Sequence, residues 1–425
     1  MDTIFALSSG APPAGIAVIR VSGAVAFDAV ERLAGSCPAP RTASLRVIRD
    51  GAGVVLDRGL VLVFPGPHTA TGEDVVEFHV HGGRAVVGAV ESALGALPGF
   101  RAAEPGEFTR RALLNGRIDL TEAEGLGDLL AAETEMQRRA AIAVAEGGLR
   151  GRIDTWCDRL VGLAAQIEAA IDFSDEDDVP EVAVRALSHE LAVLCENLTV
   201  VVEQPPSERV RDGLKVVIAG PPNSGKSSLL NAMAERDAAI VSPISGTTRD
   251  RIEVPVARNG VAYVLTDTAG LLASTDDAIE RIGISRARKA IDAADILLWL
   301  GDAPPPRQAV WVHPRADVPG RSELPPGRAL TVSALTGFGL DQLWGRVGER
   351  AQVLLPPIDA IAINRRQGKL IADARDALLR CKSTDDLLLV SEEIRVALRA
   401  LHQITGHADV EAVLDALFGT FCIGK

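Results

Sequence analysis

Aromatic residues are scarce in this sequence: 425 residues carry one Tyr and four Trp. Stacking platforms for single-stranded nucleic acids therefore have little raw material. Positive charge is also short, with 44 Lys and Arg against 57 Asp and Glu and a net charge of -13. That balance excludes a uniformly basic nucleic-acid binder, so RNA contact would need a local basic patch or a partner. The five cysteines (Cys37, Cys157, Cys195, Cys381 and Cys422) are dispersed without a CxxC pair, which argues against a zinc site or a disulfide framework. The N-terminal MDTIFALSSGAPPAG has no basic segment ahead of a signal-length apolar run, and no apolar stretch reaches membrane-spanning length. The expectation is a soluble, cytoplasmic protein without a membrane association. What is present is ordinary globular usage, 47% hydrophobic and 24% charged, over a length suited to about three domains of roughly 150 residues.

Residues 1–118 alternate strand-like runs (Ile16 to Val21, Leu60 to Phe64, Val75 to Val80) with helical ones (Ala24 to Leu33, Ala85 to Leu97), the mixture of an α/β or α+β domain. His79 and His81 share a strand face, but no third ligand stands nearby, so a strand-end turn is expected there rather than a metal site. From Leu120 long helices begin, and Thr121-Glu-Ala-Glu124 fits a capping box. Leu149, Ile153, Trp156, Leu160, Leu163, Ile167 and Ile171 recur at steps of three and four, as do Leu187, Leu191, Leu194, Leu198 and Val201. Both stripes read as the core of a helical bundle. The pattern stops at Gln204-Pro-Pro206 and resumes after Pro356-Pro357 with Leu370, Ala374 and Leu378, then Leu387, Val390, Ile394 and Leu401. A module inserted into a helical domain explains the interruption. The boundaries expected are 1–118, 119–210 (helical, first part), 211–353 (inserted module) and 354–425 (helical, second part).

The inserted stretch opens with Lys215 to Ala219, a short apolar run, followed by Gly220-Pro-Pro-Asn-Ser-Gly-Lys-Ser227 at P-loop spacing. Gly220 and Gly225 let successive N–H groups turn inward, and a helix starting near Lys226 adds its positive end. Pro221 and Pro222 have no N–H, so the cradle relies on amides from Asn223 onward. Lys226 neutralises the β and γ phosphates, and the Ser227 hydroxyl is a Mg2+ ligand. Ile244-Ser-Gly-Thr-Thr-Arg-Asp250 lies at the distance of a switch segment, with Thr248 able to reach Mg2+ and the γ-phosphate. Leu265-Thr-Asp-Thr-Ala-Gly270 ends a strand in D-x-x-G, placing Asp267 behind the metal water and the Gly270 N–H on the γ-phosphate. The order of these three elements points to GTP rather than ATP, and Thr331-Val-Ser-Ala-Leu335 resembles the base-binding loop of GTPases.

Two positions depart from that pattern. Leu271 follows Gly270 where a Gln would orient water, so another group must do so. Pro314 and Arg315 stand where the Asn and Lys of N-K-x-D are expected, leaving Asp317 to accept from guanine N1 and N2. Selection at the opposite edge of the base should weaken.

At the level of whole motifs the chain resembles the tRNA uridine-modification GTPases called MnmE or TrmE. The resemblance rests on Asp2-Thr-Ile4 with Ile16 to Gly23 (IAVIRVSG), Thr71-Gly-Glu-Asp-Val-Val-Glu77 with His81-Gly-Gly83, and Pro105-Gly-Glu-Phe-Thr-Arg-Arg-Ala112 with Asn115-Gly-Arg-Ile-Asp-Leu120. It extends to Ala169-Ala-Ile-Asp-Phe173 and the terminal Phe421-Cys-Ile-Gly-Lys425. It implies a multidomain α/β fold: an N-terminal α+β folate-binding domain that dimerises, a helical domain, and an inserted Ras-like P-loop GTPase domain activated by K+-dependent pairing with its twin.

By motif position the resemblance places 5-formyl- or methylene-tetrahydrofolate on Arg20, Glu77, Arg117 and Lys425, with Arg117 where a Lys is also found in the family. K+ falls to Asn223, Ser242, Ile244 and Thr247, and Mg2+ to Ser227 and Thr248. The water-orienting Glu is assigned to Glu280, which acts with Lys226 and Thr248, although the chain is one residue longer before it and Leu272 replaces the usual Arg. The GTP-contacting set is Asn223, Ser224, Gly225, Lys226, Ser227 and Ser228, then Ser242, Pro243, Ile244, Ser245, Gly246, Thr247 and Thr248. Asp267, Thr268, Ala269, Gly270, Asp317, Ser333, Ala334 and Leu335 complete it. The stretch from Gly301 to Pro314 is shorter than the family's, which trims a helix near the base pocket. Cys422, inside the C-x-G-K tail, is a candidate functional thiol.

The function implied is K+-activated GTP hydrolysis coupled to installing a carboxymethylaminomethyl or aminomethyl group at C5 of the wobble uridine of tRNA. The homodimer would act with an FAD-containing MnmG/GidA-like partner in a heterotetramer or larger assembly. Arg101, Arg110, Arg111 and Arg117 form the best basic stretch for RNA. The rivals are a ribosome-assembly GTPase switch without modification chemistry and a scaffold whose nucleotide site has decayed.

Overall fold

The computed structural model describes residues 2–172, 181–235, 253–268, 277–357, 361, 363–384, 386–406, 417–419, 421 and 424, with backbone alone at 172, 181–186 and 277–284. The chain divides into two compact units, Met1–Gly127 with His402–Lys425, and Asp128–Leu401.

The first unit contains β1 (Thr3–Leu7), β2 (Ala14–Ser22), α1 (Ala26–Ala34), β3 (Ser44–Arg49), β4 (Val55–Phe64), β5 (Val75–Gly82), α2 (Arg84–Gly95), β6 (Phe100–Ala102) and α3 (Glu107–Leu114). Helix α4 (Leu120–Ala131) begins in it. Its sheet runs in the order β3-β4-β5-β2-β1-β6, antiparallel except for the β1–β6 pair. Strand periodicity decides which side is covered. Ala17, Ile19 and Val21 of β2, Val61 and Val63 of β4, and Val76, Phe78 and Val80 of β5 are buried with α1 and α2 in one core. The opposite face carries Ile16, Leu45 and Leu60, which are 65%, 69% and 40% exposed. Register sets Arg20 directly across from Glu77 and Leu60 across from His79. His79 and His81 lie on β5, which ends at Gly82 ahead of the Gly83 cap of α2, with His79 Nε2 3.2 Å from Glu77 and His81 Nδ1 2.9 Å from Asp57.

The capping box expected at Thr121 is displaced. Asp119 Oδ1 accepts from the Glu122 N–H at 2.8 Å, and the Glu122 carboxylate accepts from the Asp119 N–H at 2.7 Å. Asp is at least as good a cap as Thr, and the buried Thr121 hydroxyl is turned onto Asp119 at 2.8 Å. The C-terminal residues return to this unit, where Phe418 and Phe421 pack with Leu120.

The second unit begins with the helices α5 (Glu135–Ala145), α6 (Gly148–Asp172), α7 (Glu181–Val202) and α8 (Glu208–Arg211). Then follow β7 (Leu214–Ala219), α9 (Lys226–Glu235), β8 (Glu253–Arg258), β9 (Val261–Asp267), α10 (Asp277–Ala293), β10 (Ile296–Trp299), β11 (Val310–His313), β12 (Leu330–Thr331) and α11 (Leu340–Leu354). It closes with α12 (Arg365–Cys381) and α13 (Leu387–Thr405). The apolar stripes read from the sequence lie inward: Leu149, Ile153, Leu160 and Ile167 of α6 and Leu194, Leu198 and Val201 of α7 are at most 1% exposed. Helix α7 packs on α12, so chain before the sheet meets chain after it. The Ser207 N–H donates to the Ile363 carbonyl at 2.8 Å, and Glu208 accepts from the Arg365 N–H at 2.8 Å. The sheet order is β12-β11-β10-β7-β9-β8, parallel except for β8 against β9. Between β10 and β11 there is no helix, in line with the short Gly301 to Pro314 segment. No described helix is long and apolar enough to cross a membrane.

Candidate functional site

Strand β7 lies between β9 and β10, buried at every position but Lys215. Register places Ile218 beside Asp267 and Ala219 beside Trp299. The ends of the parallel strands therefore deliver their loops to one edge, where open α/β sheets bind ligands. The chain leaves β7 through Gly220, with Asn223 (φ 59°) and Gly225 (φ 92°) in the left-handed region. Asn is among the few side chains that tolerate that conformation. Alternation of left- and right-handed residues turns successive N–H groups toward one point, and α9 starts at Lys226.

Lys226 is 4% exposed, and its Nζ donates to the Pro221 carbonyl at 2.8 Å, spanning the loop. Burial pushes its pKa below the ordinary lysine value, with the nearby Asp267 charge opposing that shift. The Ser227 hydroxyl donates to Asp267 Oδ2, and Asp267 is itself 8% exposed. The exposed Ser227 hydroxyl and the buried Asp267 carboxylate are hard oxygen donors of the kind Mg2+ takes, so these residues fit that ion. Thr268 secures the strand end, its N–H and hydroxyl both donating to the Ile218 carbonyl, at 3.2 and 3.1 Å.

The base-loop residues also meet. The Ser333 hydroxyl, fully buried, donates to Asp317 Oδ1 at 2.5 Å, and the Ala316 N–H donates to the Val332 carbonyl at 3.0 Å. Ser333 Oγ accepts from the Thr336 N–H at 3.2 Å, while Leu335 is 84% exposed. Arg315 adopts φ 64° and its guanidinium donates to the Asn223 carbonyl, linking base loop to P-loop. His313 is buried with Nδ1 unpartnered, and burial, then Arg321 and Arg328, press its pKa down.

Of the remaining nucleotide and cation calls, Ser242, Pro243, Ile244, Ser245, Gly246, Thr247, Thr248, Ala269 and Gly270 lie outside the described residues, as does the side chain of Glu280.

In the first unit Arg20 pairs with Glu77 at 3.1 Å, and its guanidinium lies 5.8 Å from the Phe108 ring centroid. The exposed Arg117 is anchored on the loop before β5, its Nε donating to the Thr69 carbonyl at 3.1 Å. Lys425 and Cys422 lie outside the described residues. Gly424 is described: Ser8 donates to its carbonyl at 2.6 Å, and a Cβ built there would stand 2.0 Å from the Leu7 carbonyl oxygen.

Beside this pair is a network that sequence reasoning did not single out. Arg111, 5% exposed, bridges Glu73 and Glu107, each at 3.0 Å. Ser22 donates to Glu73 at 2.8 Å, and Arg101 binds Glu107 at 2.6 Å and Asp2 at 3.2 Å. Burial alone would raise the Glu107 carboxyl, but the hydrogen bonds from Arg101, the Glu104 N–H and Arg111 bring it down to about 2. The expectation of a basic RNA-binding stretch at Arg101, Arg110, Arg111 and Arg117 is therefore corrected at Arg111 and Arg101 alone. Arg111 is inside the domain, and Arg101 and Arg111 share the local Glu107 and are matched further by the distant Asp2 and Glu73 respectively. The signal was available in Thr71-Gly-Glu-Asp74, whose Glu73 has no role in an exposed loop.

Two family models match the sequence, the GTP-binding protein TrmE N-terminus over residues 3–117 and the MnmE helical domain over residues 120–422. Among curated relatives, the "tRNA modification GTPase MnmE" of Erythrobacter litoralis is 53% identical, with all of both chains covered. Proteins of the same name from Rhizorhabdus wittichii and Zymomonas mobilis are 52% and 49% identical, covering all of this chain and 97% and 100% of theirs. With full-length identity at this level and both models matched in order, the chain belongs to the MnmE/TrmE family.

Proposed function

We propose that the chain is a K+-activated GTPase of tRNA modification. As a cytoplasmic homodimer with an FAD-containing MnmG/GidA-like partner, it would install the carboxymethylaminomethyl or aminomethyl group at C5 of the wobble uridine. The observation that carries the GTPase part is the meeting of Ser227 and Asp267 beside the buried Lys226, with Asp317 and Ser333 joined at the same sheet edge. Lys226 would bind the β and γ phosphates, and Ser227 with Thr248 would hold Mg2+, which supplies charge neutralisation at the phosphates. Asn223, Ser242, Ile244 and Thr247 would hold K+, whose charge serves where other GTPases use an arginine finger, and Glu280 would orient the water. Residues 211–353 act as the inserted module, rooted at the Ser207–Ile363 bond.

The folate site of this reading draws on Arg20, Glu77, Arg117 and Lys425, and the tail glycine fitted against Leu7 supports a tail held near β1. A carboxylate and a guanidinium in one half-buried pair suit the amide and carboxylate functions of a tetrahydrofolate. The uncovered apolar face at Ile16, Leu45 and Leu60 supports pairing of N-terminal domains. Since Arg101 and Arg111 are neutralised internally, tRNA contact falls largely to the partner.

Nucleoside analysis of tRNA from cells whose own copy is replaced by this chain tests the proposal. The modified wobble uridine should appear with the wild-type chain and vanish with Lys226→Ala. Full modification by Lys226→Ala, or none by the wild type, would instead favour a switch or a decayed site.

A further inference from the structure

The base loop of this chain offers purine recognition on one side only. Asp317 is set by the Ser333 hydroxyl at 2.5 Å and by the Ala316–Val332 bond at 3.0 Å, so its carboxylate is held to accept from the N1 and N2 donors of guanine. At the other end of the loop is Pro314, buried, with no N–H and no polar side-chain atom. Its carbonyl accepts from Arg321 Nε at 3.2 Å. The next residue, Arg315, has its guanidinium on the Asn223 carbonyl, so it fastens loop to loop rather than facing a base. Position 314 therefore presents no donor to N7.

We infer that this chain selects 2-aminopurine ribonucleoside triphosphates through Asp317 alone and is indifferent to the atom at purine position 7. The inference rests on the nucleotide reading of the site and goes beyond it to the substrate class. Arg315 is a positioning residue in this account: it holds the loop at Asn223 and reads no base atom.

Competition binding of the full-length chain against a fluorescent guanine nucleotide in Mg2+ tests this, with GTP, 7-deaza-GTP, ITP and ATP as probes. Wild type should bind 7-deaza-GTP within about twofold of GTP, because no net hydrogen bond is removed. ITP, which lacks the 2-amino donor to Asp317, should bind at least about tenfold more weakly than GTP. Pro314→Asn, which adds an amide donor, should create a preference for GTP over 7-deaza-GTP of about fivefold, the worth of one ordinary hydrogen bond. Arg315→Ala should weaken GTP and 7-deaza-GTP by the same factor. Binding of GTP with strong rejection of 7-deaza-GTP by the wild type would overturn this inference alone and point to the buried His313 Nδ1 as a donor. ITP equal to GTP would overturn the Asp317 part. If no guanine nucleotide binds at all, the nucleotide reading fails and this inference fails with it.

Discussion

Ser227, in the first turn of α9, donates its hydroxyl to Oδ2 of Asp267, the last residue of β9, across a gap of forty residues in sequence (|i−j| = 40). The two are brought together because β7 and β9 are register neighbours at Ile218 and Asp267. Replacing Ser227 with Ala removes the hydroxyl proposed as a Mg2+ ligand, together with one hydrogen bond to Asp267. Mg2+-dependent nucleotide hydrolysis should fall by at least about tenfold, with the thermal midpoint of the free protein nearly unchanged. A kinetic titration of Mg2+ against both proteins checks it.

Arg111 is the cation between two carboxylates, with side chains of Arg111, Glu73 and Glu107 exposed by 6%, 15% and 11%. Arg111→Ala leaves Glu73 without its counter-charge inside the domain and Glu107 with Arg101 alone. Destabilisation of about 3–5 kcal/mol is expected from denaturant unfolding, far more than for Arg139→Ala, whose pair with Glu135 is half exposed or more on both sides.

The pH dependence of the first unit follows from Glu107, whose carboxyl is lowered to about 2 despite burial, by Arg101, the Glu104 N–H and Arg111. A depressed carboxyl binds protons more readily when unfolded, so its contribution is complete above the unfolded value and is lost as pH falls through the folded one. Thermal melts between pH 7 and pH 2 should show the wild type losing its advantage over Glu107→Gln below about pH 4.5. An advantage that persists unchanged to pH 2 would contradict this.

Gly424 has φ 99°, and a Cβ there would stand 2.0 Å from the Leu7 carbonyl oxygen. Gly424→Ala should release the tail from β1, raising its cleavage by carboxypeptidase while the thermal midpoint of the second unit stays fixed. Folate binding, measured by calorimetry, should weaken with it if Lys425 closes that site.

How much was legible beforehand differs between regions for physical reasons. The nucleotide edge could be read because a P-loop needs a particular backbone and therefore particular residues: Gly220, Asn223 and Gly225 all take positive φ. The stripes through Leu160 and Leu198 were legible because burial at helical spacing leaves a periodic trace. The cap at Asp119 was misplaced because Asp119 and Thr121 are both good caps, and only the fold decides which one the helix uses. Arg111 was misread because a run of arginines reports charge but not partners, and Glu73 lies 38 residues away. The link from Arg315 to Asn223, 92 residues apart, was illegible for the same reason.

Cation-activated GTP hydrolysis is decided by steady-state GTP turnover of the purified full-length chain in Mg2+ with either KCl or NaCl at equal ionic strength. Turnover should be at least about tenfold faster in KCl, with none for ATP in either salt. Equal rates in the two salts, no hydrolysis in either, or a preference for ATP would contradict it.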